Sequence, residues 1–168
     1  MRVATASEDT LIGKLIEAAT LWAENYTGMD VRANSWKLWL DVFATPIVID
    51  RRPIATDGIT SIKHNVDASP VTISSDDYIL KRQTLWSEIW PAPNVSWPSN
   101  TDDGEHQIEI AFSTAAPPAG VISRVEVGLM RHVAYLYENR GDLEGSDIAR
   151  AARDSGAVEF YTFGVPRY

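Results

Sequence analysis

The segment Ser7-Glu8-Asp9-Thr10-Leu11-Ile12-Gly13-Lys14-Leu15-Ile16-Glu17-Ala18-Ala19-Thr20-Leu21-Trp22-Ala23-Glu24-Asn25-Tyr26-Thr27-Gly28 sets the character of the fold. Leu11, Ile12, Leu15, Ile16, Ala19, Trp22, Ala23 and Tyr26 recur at three- and four-residue steps, which is one stripe of a helix. Ser7 can cap its start, and Glu8 and Asp9 sit where the positive end of the helix dipole favours acids. Gly28 stands where a left-handed cap ends a helix. At a rise of 1.5 Å per residue, such a helix is about 30 Å long.

A second helical block runs from Val121 to Arg140, introduced by Pro117-Pro118. Its apolar positions Ile122, Val125, Leu129, Val133, Leu136 and Tyr137 keep helical spacing, and Asn139 and Gly141 can terminate it. A shorter helix is expected from Ser146 to Asp154, ending near Gly156.

Between the long helices the period changes. Trp36, Leu38, Leu40 and Val42 alternate with Lys37, Trp39, Asp41 and Phe43. Short β-type runs follow at Ile47-Val48-Ile49, Ile59 to Ile62, Val71 to Ile73, Tyr78 to Leu80 and Ile108 to Phe112. Asp57-Gly58, Ser69-Pro70 and Asp102-Asp103-Gly104 read as the turns between them. About six short strands with tight turns favour antiparallel pairing. The expectation is an α+β fold: a small helical bundle of two long helices and a short third, with a central antiparallel β-rich insert. One domain is expected over residues 1–168, with helix one at 7–28, the insert at 35–113, helix two and the short helix at 118–156, and a tail at 157–168.

Hydrophobic residues make up 45% of the 168 residues and charged residues 23%, an ordinary balance for a globular protein with a real core. The net charge of -8 argues against a surface that grips nucleic-acid phosphates throughout. Cysteine is absent, which excludes disulfides, thiolate nucleophiles and cysteine-based metal sites. The first nine residues contain no apolar run of a signal peptide, and no stretch approaches the roughly 18 apolar residues of a membrane span. A soluble protein made in the cytoplasm is expected, with no membrane partner.

No phosphate-binding glycine loop, nucleophile elbow or zinc-binding helix motif is present. His64, His106 and His132 are scattered, without ligand spacing, and His132 reads as a surface or packing residue. Asp76-Asp77 and Asp102-Asp103 read as solvated turn formers, not as an acid/base pair. Arg51-Arg52 reads as a solvated strand end. No catalytic, cofactor-binding or metal-binding residue can be assigned, and no enzyme activity is expected. Trp86, Trp90 and Trp97 cluster with Pro91, Pro93 and Pro98. They suit a core or subunit interface, or alternatively an aromatic platform for a sugar or peptide.

The succession of motifs resembles the head–tail connector (adaptor) family of long-tailed bacteriophages and gene transfer agents. The residues that carry the resemblance begin with Asp9-Thr10-Leu11-Ile12, Ala18-Ala19 and Glu24-Asn25-Tyr26-Thr27-Gly28. They continue through Ile47-Val48-Ile49-Asp50-Arg51-Arg52-Pro53-Ile54, Ile59 to Ile62, Tyr78-Ile79-Leu80, Trp90-Pro91 and Trp97-Pro98. Gln107 to Phe112 and His132-Val133-Ala134-Tyr135-Leu136-Tyr137-Glu138-Asn139-Arg140 complete the series, over about residues 8 to 140.

The resemblance implies a structural protein of the virion neck, resident in the host cytoplasm before assembly. It implies a ring of about twelve copies beneath the portal protein, closed by a heterologous side-to-side contact. That ring would extend the DNA channel without binding DNA specifically and would offer a platform to a stopper, head-closure or tail protein. It also implies portal docking by the C-terminal tail, through Phe160, Tyr161, Phe163, Val165, Pro166, Arg167 and Tyr168. The alternatives are a carbohydrate- or peptide-binding module built on Trp86, Trp90 and Trp97, and another neck protein such as a tail terminator.

Overall fold

The computed structural model describes residues 6–83, 86–140 and 147–162. The fold is α+β, and the chain packs as two compact units. One is helical and is built from both ends of the chain, up to Val31 and from Pro117 onward; the other, Arg32–Ala116, is built from strands.

In the helical unit, α1 spans Ala6–Thr27 and α2 spans Ala119–Glu138. The side chain of Ser7, the expected cap, lies outside the described residues. Gly28 takes φ 64°, the left-handed conformation expected of it, and ends α1. Glu8 Oε1 accepts a 3.0 Å hydrogen bond from the Tyr137 hydroxyl near the end of α2. Ala19 clusters with Val133 and Leu136, and Ala23 with Val125, so α1 and α2 run antiparallel. The buried stripe of α1 is narrower than its apolar pattern: Ala19 and Ala23 are fully covered, while Leu11, Ile16, Leu21 and Tyr26 remain exposed.

Two short helices complete this unit, α3 (Asp147–Asp154) and a further turn, α4 (Val158–Tyr161), where the sequence suggested only a tail. Tyr161 is 0% exposed and is the largest fully buried side chain among the described residues. Burial of an aromatic ring of this size contributes about 1.5–3 kcal/mol. α4 comes this close because position 128 has no side chain. A Cβ on Gly128 would stand 2.8 Å from Phe160 Cβ and 2.8 Å from Tyr161 Cε1.

His132 is also completely buried here. Its Nε2 donates to the Ile148 carbonyl at 2.8 Å, and its Nδ1 accepts from the Tyr161 hydroxyl at 3.4 Å. Trp22 meets the imidazole edge-on at 5.5 Å. Burial holds the His132 pKa below the ordinary 6.5, and the bond to Ile148 opposes this in part. Its packing role was readable: His132 falls on the Leu129, Val133, Leu136 stripe of α2.

The β unit holds two antiparallel sheets over one core. The strands are β1 (Asn34–Leu40), β2 (Ile47–Ile49), β3 (Ile54–Val66), β4 (Ser69–Thr72), β5 (Tyr78–Arg82), β6 (Ser87–Pro91) and β7 (Ile108–Thr114). One sheet has the order β1-β7-β3-β4 and the other β2-β6-β5. β7 alternates strictly, with Ile108, Ile110 and Phe112 facing the core that Ile47, Ile49, Ile62 and Ile89 complete. Asn34 stands opposite Thr114, so the first and last residues of the insert's strands are paired.

Three local expectations are corrected. Asp57-Gly58 is not a turn but a register irregularity inside β3, between Ile54 and Ile59. The β3–β4 turn lies at Asp67 and Ala68, both with positive φ, and Ser69-Pro70 already belongs to β4. β6 occupies a stretch read only for its tryptophans and prolines.

Two substitutions to alanine, one in each long helix, test the helical unit. Gly128→Ala is expected to destabilise the protein by about 1–3 kcal/mol through the clash with α4. Gly13→Ala, with open space around the added methyl, is expected to stabilise it by about 0.5–1 kcal/mol. Urea denaturation followed by circular dichroism reads both signs. Acid provides a third test. Because the folded His132 binds a proton less readily than the unfolded, its contribution is complete above pH 6.5 and declines as pH falls below it. His64 acts in the same direction. Urea midpoints are expected to drop between pH 7.5 and 5.5, and His132→Gln to flatten that slope.

Candidate functional site

The acidic and basic pairs that the sequence offers are structural. The Asp102 carboxylate accepts from the backbone N–H of Asp67 at 3.0 Å and of Ala68 at 2.8 Å, and so clamps the positive-φ turn between β3 and β4. It is not merely a solvated turn former. Asp76 and Asp77 lie in a single 3-10 turn over Ser75–Asp77, after a Ser74 cap. Arg51 and Arg52 depart from the solvated strand end expected of them. The Arg51 guanidinium lies 4.3 Å from the Trp36 ring centre, and burial lowers the pKa of Arg52. His106 sits edge-on to Trp39 at 6.1 Å. Among the described residues, no group of three His, Asp or Glu side chains is gathered to hold a metal ion. None of the described helices is long and apolar enough to cross a membrane.

The tryptophan cluster divides. Trp86 and Trp90 both donate their indole N–H to Glu88, at 2.9 Å to Oε1 and 2.9 Å to Oε2 respectively. These two hydrogen bonds hold the Glu88 carboxyl below its usual range. Strand register places Val48 and Lys81 on the two sides of Glu88 and Ile79 opposite Trp90, so the outward face of the β2-β6-β5 sheet sets a carboxylate and an ammonium among apolar side chains. Lys81 covers the Trp90 ring at 4.3 Å. Trp97 goes elsewhere: it stacks on Phe43 at 5.0 Å and donates to the Ala44 carbonyl at 3.0 Å. There it walls a small cavity of about 310 Å³ with His64, Ser74 and Asp77. A flat sugar platform needs open ring faces. Lys81 and Phe43 each take a face of Trp90 and of Trp97.

Of the C-terminal residues singled out in the sequence, Phe160 and Tyr161 are held by α2. The Arg131 guanidinium lies 4.9 Å from the Phe160 ring centre, and Tyr161 is buried. Tyr161 in this position serves the core and presents no surface to a partner. Phe163, Val165, Pro166, Arg167 and Tyr168 lie outside the described residues.

One apolar surface feature was not anticipated. Ile12 and Ile16 of α1 and Leu129, Met130, Val133 and Ala134 of α2 line a groove of about 560 Å³. Glu126 is the charged residue in its wall. Met130 is 63% exposed, Ile16 47% and Val127, beside it on α2, 38%. These apolar side chains are left open to solvent. The groove's signal in the sequence was an apolar stripe on α1 and α2 wider than one helix-helix seam requires.

No family model matches the chain, and no curated protein sequence does. Solved structures do. A chain in the neck of an empty gene transfer agent particle, computed with C6 symmetry, is similar at a TM-score of 0.67 and 17% identity, over 92% of this chain and 83% of that one. A chain in the virion of a native gene transfer agent particle is similar at 0.67 and 16%, over 90% and 78%. A chain in the neck of a native particle, computed with C12 symmetry, is similar at 0.62 and 17%, over 86% and 81%. The likeness runs through both units and is one of fold.

Proposed function

We propose that this protein is a head–tail connector: a structural subunit of a phage-type neck, assembled as a ring beneath the portal protein. The observation that carries the reading is the fold, shared over most of both chains with components of gene transfer agent particles, two of them neck structures. The ring, of about twelve copies, extends the DNA channel and presents a platform to the stopper, head-closure or tail protein. The chemistry of the chain suits such a part. Its Asp pairs serve turns, and its tryptophans serve packing and a shared carboxylate. A net charge of -8 suits a conduit, since a basic lumen would hold the genome by its phosphates. The subunit turns over no substrate and waits in the host cytoplasm until a portal is available.

Portal docking is assigned to Phe163, Val165, Pro166, Arg167 and Tyr168, because Phe160 and Tyr161 are engaged on α2. The outward face around Trp86, Glu88 and Trp90 is assigned to contact with another neck component. Quantitative mass spectrometry of purified particles tests the reading. The expected result is about one copy per portal subunit, as a ring matched to the portal requires. Absence from particles overturns it and brings forward a glycan- or peptide-binding role for the exposed Trp86 face, which a fluorescence titration would then examine.

A further inference from the structure

We infer that the groove between α1 and α2 receives the opposite side of the same helical unit from a second copy of this chain. The inference rests on the ring reading above and names the surface that closes the ring. The groove is apolar, about 560 Å³ in volume, and bordered by acids. Glu126 lies in its wall, and Asp9 falls close to Ile12 and Ile16 around α1 by helical phase. At about 100° per residue, Arg124 and Arg131 lie on nearly the opposite side of α2 from Leu129 and Val133. On that side Arg131 covers Phe160, and Arg124 donates to the Glu159 carbonyl at 3.2 Å. One helix thus carries an acid-rimmed apolar groove on one flank and an arginine-bearing aromatic flank on the other.

That arrangement selects a head-to-tail contact. Two grooves brought face to face would set Glu126 and Asp9 against their own copies. A groove facing the Arg124 and Arg131 flank of its neighbour pairs opposite charges and buries Met130 and Ile16. A heterologous contact of this kind closes into a ring if its rotation permits. Chains of similar fold occur in neck structures computed with C6 and C12 symmetry.

The natural chain has no cysteine, so single-cysteine variants carry one thiol each. Met130→Cys places it in the groove, and Glu159→Cys places it on the exposed flank of α4. Oxidation of the two full-length variants together is expected to give a disulfide-linked pair that neither gives alone. Adding Arg131→Glu to the Glu159→Cys chain should abolish the pair, and adding Glu126→Arg to the Met130→Cys chain should restore it. The yield should fall in 1 M salt, where the screening length shortens to about 3 Å. A pair formed by Met130→Cys alone would overturn the inference in favour of a two-fold contact. No pair, with wild-type oligomers in sedimentation, overturns this surface and leaves the ring standing on another. No pair and a monomer at every concentration overturns both this contact and a ring formed by the chain alone, while the particle count still reports separately on the neck.

Discussion

The pairing of Asn34 with Thr114 is the constraint on which the two-unit architecture depends. The Asn34 backbone N–H donates to Thr114 Oγ1 at 3.2 Å, and the strands they begin and end run on as β1 and β7. The insert therefore starts and stops side by side. A helical unit assembled from the two ends of a chain would otherwise bear the full entropy of closing a long loop. Here the two ends of the insert are joined by seven residues of strand pairing over a β core.

Within the helical unit, one small residue has the comparable role. Gly128 admits α4, α4 carries Tyr161 inward, and Tyr161 and Ile148 together satisfy both nitrogens of a buried imidazole. A buried polar ring without partners would be costly, so the hydrogen bonds from two other helices bind α3 and α4 to α2. This packing covers one flank of α2 and leaves the other, with Met130, to the groove.

Much of the fold was legible in the sequence because its signals are local. The 3.6-residue stripes of α1 and α2, the Gly28 cap and the alternation of β1 and β7 each need only a short window. What escaped depends on distant partners. β6 was masked by its tryptophans and prolines, although Ile89 at its centre is a core residue. Asp57-Gly58 has the composition of a turn, yet β7 holds it as an irregularity within a strand. Of the candidate site residues, Trp86 and Trp90 share an acceptor, Glu88, that the sequence did not reveal, and Trp97 stacks on Phe43. The groove was missed because exposure is set by which helices cover a stripe, and periodicity cannot say how many do.

The split construction of the helical unit has a consequence during synthesis. α1 leaves the ribosome about ninety residues before α2, which at roughly 5–20 residues per second is a wait of about 5–20 seconds. Throughout that time its inward face has no native partner, and an isolated helix of 22 residues is only marginally stable in water. The centre of that face is Ala19 and Ala23, not leucine or phenylalanine. Small side chains keep the waiting segment weakly adhesive. They also allow α1 to sit close to α2 in the finished unit.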